Sequence, residues 1–278
     1  DAGNFQFAAR RWAHGCRDVT DLGVIKIEPC HGKTTLWLDR LFFNGKRMKS
    51  SLRPRWRAML VLAGLLAVGG VHAERPMVVD DAGTMDRGAA KLEFGWSRDD
   101  DVRGWDAAAG YAPVDGLEVE LGFARLRDRA ASPTATVNAS AVALKWVPLQ
   151  TESGLSAGLK YEYVDERVRH GADADAHGLA ALFTWTFPAG TAIHTNLGHE
   201  WAHVRGEGRE RTGTWGIGVD LPLNAQFSFT LETFGAEHAG PDRQVGLRYI
   251  VADGLKLAAG FGRGNGRNFG SAGVAWEF

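Results

Sequence analysis

From residue 88 onward, apolar and polar positions alternate along most of the chain. In the stretch AKLEFGWS, Leu92, Phe94 and Trp96 fall on one side, and charged or small residues fall on the other. Successive side chains of a strand point to opposite faces, so a period of two predicts strands with one apolar face and one polar face. The pattern predicts twelve strands, at about 88–97, 103–113, 116–127, 136–147, 153–164, 177–187, 191–203, 211–222, 226–236, 242–251, 254–263 and 267–278.

The connections between these strands fall into two classes. After even-numbered strands they are short, as in PVDG, PAG and ADG, whereas most of those after odd-numbered strands are longer and charged, as in RDRAASPTA and DERVRHGADADAH. A transmembrane barrel has short periplasmic turns and longer outer loops, and a strand of about 9–11 residues crosses a bilayer. The sequence therefore predicts an all-β chain that forms a single antiparallel transmembrane β-barrel with periplasmic termini.

Aromatic residues near the strand ends fit the same architecture. Amphipathic rings favour the boundary between lipid and water, and they form two girdles around a membrane barrel. A soluble β-sandwich core would not require so many rings close to the strand ends. The candidate girdle residues are Trp105, Tyr111, Trp146, Tyr161, Tyr163, Trp185, Phe187, Trp201, Trp215, Tyr249 and Trp276.

An apolar run precedes the barrel at residues 58–70, behind three arginines. It is shorter than the roughly 20 residues of a membrane-spanning helix, and it fits the core of a secretory signal peptide with a small-residue cleavage site at Val71-His72-Ala73. We expect residues 48–73 to be the signal peptide. We expect residues 1–47 to be translated upstream sequence that is disordered and not part of the native protein.

Charge and cysteine content separate the predicted mature chain from what precedes it. Residues 74–278 contain no cysteine, and they hold 20 of the 32 basic and 28 of the 33 acidic residues. The mature chain therefore offers no disulfide or thiol chemistry. Its acidic balance argues against nucleic acid, whose phosphates require a basic surface.

Both ends of the predicted mature chain resemble known proteins. The final AGVAWEF, with Trp276 and Phe278, is similar to the terminal signature of bacterial outer-membrane barrels, which implies recognition by the barrel-assembly machinery. Near the start, Arg75-Pro76, Asp80-Asp81-Ala82 and Gly88 followed by Leu92-Glu93 resemble the outer-membrane porin family named for the meta-cleavage pathway of phenol degradation. This resemblance implies a transporter in the outer membrane of a Gram-negative bacterium.

The inward face of the predicted barrel mixes charged and small residues. Inward glycines at 122, 158, 216, 218, 246 and 260 would leave room for water, and buried charges need partners or hydration. One alternative is a hydrated conduit, and the other is an interior closed by salt bridges such as Glu118 with Lys145 on the next strand. The predicted lumen-lining residues are Lys91, Glu93, Asp106, Glu118, Glu120, Lys145, Lys160, Glu162, Glu200, Asp220, Glu232, Arg248 and Lys256.

Residues 74–87 precede the first strand, and we assign them to a periplasmic N-terminal segment. They carry Asp80, Asp81 and Asp86. The segment could instead fold into the lumen as a partial plug, and the sequence does not decide between the two positions.

Enzymatic and metal-binding alternatives have weaker support. His199 and His194 lack a nearby serine in the pattern of a hydrolase, so we predict that the protein is not an enzyme. His170, Asp173, Asp175 and His177 offer possible cation ligands without calcium-loop spacing, so we predict neither cofactor nor metal. The predicted partners are outer-membrane lipid and lipopolysaccharide, the assembly machinery and an unidentified small solute, without nucleic acid.

The sequence thus favours a porin-like channel or transporter for passive passage of small solutes. Two alternatives stay open: a non-conducting surface barrel that acts through its outer loops, and an outer-membrane hydrolase.

Overall fold

A computed structural model describes residues 75–278, and all of the described strands form one sheet. The expectations for residues 1–74 lie outside the described part. Within it, no helix is long and apolar enough to cross a membrane. The strands are β1 (Ala90–Asp99), β2 (Val102–Val114), β3 (Leu117–Asp128), β4 (Ala135–Leu149), β5 (Gly154–Arg169), β6 (Ala174–Thr186), β7 (Ala192–Val204), β8 (Gly208–Pro222), β9 (Phe227–Ala236), β10 (Asp242–Ala252), β11 (Leu255–Gly264) and β12 (Arg267–Glu277).

The sheet is a closed barrel in which every strand pairs antiparallel with its sequence neighbours, and β1 pairs with β12. The last residue takes part in the closure, since Phe278 and Ala90 exchange two backbone hydrogen bonds of 2.8 and 2.9 Å. A closed sheet has no unpaired edge, which hydrocarbon could not hydrogen-bond. The predicted twelve-stranded antiparallel barrel is confirmed.

Alternation along each strand sorts side chains between the outside and the lumen. On β3, Leu121 and Phe123 are exposed on the outer surface, whereas Glu118 and Glu120 are buried within the barrel. This reverses the arrangement of a soluble protein, because the large apolar residues face outward and the charges face inward. It is the distribution that a bilayer surrounding the barrel requires.

The two ends of the barrel differ in whether they carry the chain termini. We call the end with Ala90 and Glu277 the terminal end, and the opposite end, where β1 turns into β2, the distal end. Exposed tryptophans cluster towards both: Trp96, Trp105 and Trp201 lie in the distal half, and Trp146, Trp185 and Trp276 lie near the terminal end.

The distal connections are shorter than the sequence pattern suggested, because several strands continue into the predicted loops. Strand β5 runs to Arg169 and β6 begins at Ala174, so only residues 170–173 connect them. The reason is that alternation persists: Glu166 and Val168 still face inward, while Arg167 faces outward. The charged stretch therefore extends the wall of the barrel.

Residues 75–87, which we call the leading segment, lie inside the barrel. Residues 75–85 of the segment contact side chains of many strands across the lumen, including Asp106 on β2, Asn196 on β7 and Glu232 on β9. The lumen position, the second of the two that the sequence allowed, therefore replaces the periplasmic assignment of this segment. The cause is chemical: inward charges of the wall need partners, and the segment supplies them.

We predict that Leu121→Arg destabilises the folded barrel in lipid vesicles by about 2–4 kcal/mol, since this exposed leucine lies midway along the outer surface of β3. Val251→Arg, at the terminal end of β10, is the matched control and should cost about 0–1 kcal/mol. Urea unfolding of both variants measures the difference. Equal costs at the two positions would contradict a lipid-facing outer surface.

Candidate functional site: the charged lumen

Asp80 of the leading segment lies between two lysines of the wall. Its carboxylate oxygens are 2.7 Å from Lys145 Nζ and 2.6 Å from Lys160 Nζ. Lys145 and Lys160 are direct cross-strand partners on β4 and β5. Two like charges directly opposite each other destabilise a strand pair, so Asp80 turns a repulsive contact into an ion-paired one.

The backbone of Asp80 is also fixed. Its N–H donates to the amide oxygen of Asn196 over 2.7 Å, and its carbonyl oxygen accepts from the amide nitrogen of the same residue over 2.8 Å. Asp80 is 1% exposed and Asn196 is also buried. The side chain of Asp80 is therefore held by the two lysines, and its backbone is held by Asn196.

The environment of Asp80 sets its protonation state. Burial acts to raise the pKa of the carboxyl, but the two lysine ammonium groups outweigh burial and hold the pKa well below its usual range. The carboxylate is thus charged throughout the physiological range of pH.

Two wall side chains satisfy the backbone upstream of Asp80. Glu232 accepts hydrogen bonds from the N–H groups of Val78 and Val79, each over 2.8 Å. Gln244 donates to the carbonyl oxygen of Pro76 over 2.6 Å and to Glu232 over 2.8 Å. Buried backbone groups must find partners, and here β9 and β10 provide them in place of another strand.

Arg75, the first described residue of the segment, is bound to the wall of the barrel through both its side chain and its backbone. Its guanidinium pairs with Asp106 on β2 and lies 3.4 Å from a carboxylate oxygen of Glu93 on β1. Its carbonyl oxygen accepts from the guanidinium of Arg248 on β10 over 2.9 Å, and Arg248 pairs with Asp220 over 2.5 Å. The segment is therefore tied to both sides of the β1–β12 closure.

A second cluster of charges surrounds Lys91 on β1. Its ammonium nitrogen is 2.7 Å from Glu118, 2.8 Å from Glu120 and 3.7 Å from Glu93. The predicted register of Glu118 opposite Lys145 is observed. The predicted ion pair between them is wrong, however, because Glu118 binds Lys91 and Lys145 binds the leading segment.

Inward glycines of the wall accommodate the leading segment. A Cβ atom at Gly216 would lie 2.7 Å from a methyl group of Val79, and one at Gly218 would lie 2.5 Å from the terminal methyl of Met77. Cβ atoms at Gly246 and Gly260 would similarly meet the ring of Pro76. The room that these four glycines provide is therefore filled by the segment, whereas the sequence had suggested water.

The free volume that remains around the leading segment differs from one part of the lumen to another. A cavity of about 200 Å³ opens at the terminal end beside β1, β11 and β12, where Asp81, Lys91, Lys256 and Glu277 contribute to its lining. A second cavity, of about 90 Å³, lies near His194 and Arg248. Among Asp80 and its lysines the free volume is about 10 Å³, which is close to the minimum for one water molecule.

Every predicted lumen-lining residue lies on a strand of the barrel. Glu93, Asp106, Glu118, Glu120, Lys160, Glu162, Glu200, Glu232 and Arg248 are buried, and Lys91, Lys145, Asp220 and Lys256 are partly exposed. Glu162 on β5 and Glu200 on β7 lie on either side of Gly178 on β6. Neither glutamate takes part in the contacts of the leading segment that are described above. The sequence missed three polar wall residues that bind the segment, namely Thr184, Asn196 and Gln244. It also missed the pairing of Arg75, in the segment, with Asp106.

The histidines considered for catalysis have other contacts. His194 Nδ1 is 2.9 Å from the hydroxyl of Thr184, and that hydroxyl also accepts the N–H of Ala82. His199 faces outward and its ring contacts Trp201. The hydroxyl beside His194 is therefore shared with the backbone of the leading segment.

The acidic residues near the β5–β6 connection are held by internal contacts. Asp173 accepts the N–H of Val168 over 3.0 Å and pairs with Arg205 over 3.1 Å. Asp175 lies 3.1 Å from the His203 ring. Among residues 75–278, no group of three or more His, Cys, Asp and Glu is arranged to hold a metal ion.

The predicted assembly signal lies on the outer surface at the terminal end. Trp276 and Phe278 are both exposed, and their ring centroids are 4.8 Å apart. Trp276 pairs with Leu92 on β1 and Leu255 on β11. These rings are therefore available at the seam where the barrel closes.

Comparison with known proteins places the chain in a family. Residues 61–271 match the model of the family described as uncharacterised conserved protein UCP029691. The chain belongs to this family. The description does not mention the phenol meta-cleavage pathway, so that finer resemblance stays a hypothesis. No curated protein sequence matches the chain.

Solved structures with a similar fold include outer-membrane channels. One is the KdgM porin in complex with disordered oligogalacturonate, at TM-score 0.54 and 9% identity over 68% of this chain and 99% of that chain. Another is the COG4313 outer membrane channel from Pseudomonas putida F1, at TM-score 0.55 and 11% identity over 71% of this chain and 98% of that one. At this identity the likeness shows the fold.

We predict that Asp80→Asn destabilises the protein by about 3 kcal/mol, because removing one partner of a buried ion pair leaves the opposed lysines uncompensated. Asp81→Asn is the matched control, since Asp81 also contacts Lys145, over 3.0 Å, but its side chain is 36% exposed. The control should cost less than about 1 kcal/mol. Urea unfolding gives both values, and equal costs would show that Asp80 is not the anchor.

The ion pairs that Asp80 makes with Lys145 and Lys160 should be insensitive to pH until strongly acidic conditions. The pKa of Asp80 is lowered in the folded protein, so its stabilising contribution is complete above the ordinary aspartate pKa of about 3.9 and is lost as the pH falls through the folded value. Hydrogen–deuterium exchange at the backbone N–H of Asp80, which is bonded to Asn196, reports release at each pH after correction for the intrinsic effect of pH on exchange. Release between pH 7 and pH 5 would contradict this assignment.

Proposed function

We propose that the protein is a porin-like channel of the outer membrane of a Gram-negative bacterium, through which small solutes pass passively. The observation that carries this proposal is the closed twelve-stranded barrel with an apolar exterior and a charged interior. The fold shared with a porin and with an outer-membrane channel supports it.

The proposed orientation places the terminal end in the periplasm and the distal end at the cell surface. An exported chain begins on the periplasmic side, and an even number of strands returns its C terminus to that side. Residues 48–73 would be the removed signal peptide, and Trp276 with Phe278 would be read by the barrel-assembly machinery. The resemblance of the leading segment to the phenol meta-cleavage porin family belongs to the same proposal.

In this channel the leading segment acts as a fixed constriction. The proposed route enters the lumen at the terminal end beside β1, β11 and β12, through the cavity of about 200 Å³. Lys91, Lys145 and Lys256 bring positive charge to this route, and Asp81, Glu118 and Glu277 bring negative charge. Such a mixed lining suits small polar solutes that exchange hydrating water for fixed side chains.

A non-conducting surface barrel is the second candidate, and one observation favours it. On the β2–β5 side, Asp80 and its lysines leave only about 10 Å³ of free volume. If the route beside β11 and β12 were also closed, the barrel would act through its distal surface alone.

Single-channel recording in planar bilayers separates the two candidates. We expect steady openings from the wild-type protein and larger ones from Asp80→Asn, because the freed segment no longer narrows the lumen. Asp115→Asn, in the exposed turn between β2 and β3, serves as the control with the same loss of charge and should keep the wild-type conductance. Silence from a correctly folded wild-type barrel and from Asp80→Asn would favour the non-conducting candidate.

Lys256→Glu should shift the ion preference of the channel towards cations, since Lys256 lines the proposed route near the terminal end. Reversal potentials in a salt gradient measure this preference. Arg263→Glu, on the outer surface of the same strand, changes charge equally and should leave the reversal potential unchanged. Equal shifts in both variants would place the route elsewhere.

A further inference from the structure

Arginines on the outer surface of the distal end stand directly opposite one another. Arg98 on β1 pairs with Arg103 on β2, and Arg103 pairs with Arg127 on β3. On the other side of the β1–β12 seam, Arg243 on β10 pairs with Arg263 on β11. All five are exposed. Like charges directly opposite each other are destabilising unless an anion joins them.

The arginines of β1, β2 and β3 lie at the distal edge of the apolar outer surface, together with a fourth arginine. Arg125 lies one outward position below Arg127 and pairs with Trp105, which in turn pairs with Trp96. Tryptophan marks the boundary between lipid and headgroups. We call Arg98, Arg103, Arg125 and Arg127 the first arginine group. It sits where the surface of β3 changes from apolar Phe123 to charge.

The second arginine group, Arg243 and Arg263, borders an outward groove of about 540 Å³. In the register of the sheet, the row Ile217, Thr233, Arg243 and Arg263 lies next to the apolar row Val219, Leu231, Val245 and Phe261. All eight residues line the groove. A cationic pair bordering an apolar hollow matches an amphipathic ligand with an anionic head and a hydrocarbon chain.

The arginines of both groups differ from other arginines near the same end in their lack of carboxylate partners among the described residues. In residues 75–278, no ion pair involves any of the six arginines, whereas Arg167 near the same end pairs with Asp165 over 2.9 Å. Of the acidic residues beside the first group, Asp99 and Asp128 are buried in the wall. Asp100 accepts the N–H of Asn268, over 3.3 Å. The arginines are therefore left for a partner outside the chain.

We infer that the two arginine groups bind phosphate groups of lipid A, the phosphorylated glycolipid of the outer leaflet. Guanidinium forks suit phosphate oxygens, and strands about 4.8 Å apart let opposed side chains converge on one phosphate. The distal position selects the outer-leaflet lipid. This inference rests on the proposed function for the orientation of the barrel, because only that orientation brings the distal end to the outer leaflet.

Native mass spectrometry of the detergent-solubilised protein with purified lipid A tests the inference. We expect the wild-type protein to retain two lipid A molecules, and both R103Q/R127Q and R243Q/R263Q to retain one, with affinity at the altered site reduced about tenfold or more. R167Q/R205Q is the matched control, since it removes two exposed, ion-paired arginines near the same end, and it should retain two. Equal losses in the control and in the paired variants would overturn the inference.

Two comparisons on the wild-type protein identify the ligand without any variant. Lipid A stripped of its phosphates should bind at least about tenfold more weakly. Phosphatidylglycerol at equal concentration should not displace lipid A. Equal binding of the stripped lipid, or displacement by phosphatidylglycerol, would refute lipid A phosphate as the ligand. Both results stand even if a double variant fails to fold.

Conductance keeps this inference separate from the proposed function. Recorded in phosphatidylcholine bilayers, R103Q/R127Q and R243Q/R263Q should conduct like the wild-type protein, because their side chains face away from the lumen. Lipid A binding by a silent barrel would refute the channel and leave this inference standing. Conduction without lipid A binding would refute this inference alone.

Discussion

The ion pairs of Asp80 with Lys145 and Lys160 are the interaction on which the arrangement of the lumen depends. The register of β4 and β5 sets the two lysines directly opposite each other, inside a barrel where about 10 Å³ of free volume remains around them and Asp80. Charges buried in this way need compensation, and a carboxylate carried by the leading segment supplies it. Because that carboxylate precedes the first strand, the wall cannot be electrically balanced without drawing the segment inside.

Once Asp80 is placed, the rest of the segment follows from backbone chemistry and space. An extended peptide inside a barrel has no neighbouring strand, so Glu232, Thr184 and Gln244 take over the hydrogen bonds that a sheet would provide. Four inward glycines give the peptide its room. The outer surface faces lipid, with apolar side chains along its middle and arginines where the headgroups of a bilayer would lie. The alternation along each strand therefore places one set of side chains towards lipid and the other towards the lumen.

Much of the fold could be predicted because every strand of a membrane barrel alternates between residues that face lipid and residues that face the lumen. The period of two located all twelve strands and put Glu118 opposite Lys145. Alternation says which face a residue takes, but it does not say which partner a long side chain reaches. Lys145 therefore bonds across the lumen to Asp80, and Glu118 to Lys91. The same limit applies to Gly216 and Gly246, since a missing side chain looks identical whether water or peptide fills the gap. The aspartates at 80 and 81 were visible in the sequence, yet nothing local to them identified the lysines 64 or more residues away or decided between the periplasm and the lumen.

A disulfide between the leading segment and the wall would test the lumen position of the segment most directly. A Cβ atom at Gly218 would lie 3.3 Å from the Cβ atom of Val79, close to the separation found in disulfides. We therefore expect Val79→Cys combined with Gly218→Cys to cross-link in intact outer membranes, so that both sites resist alkylation until they are reduced. Free alkylation of both cysteines in a folded barrel, without any cross-link, would contradict a leading segment held inside the lumen.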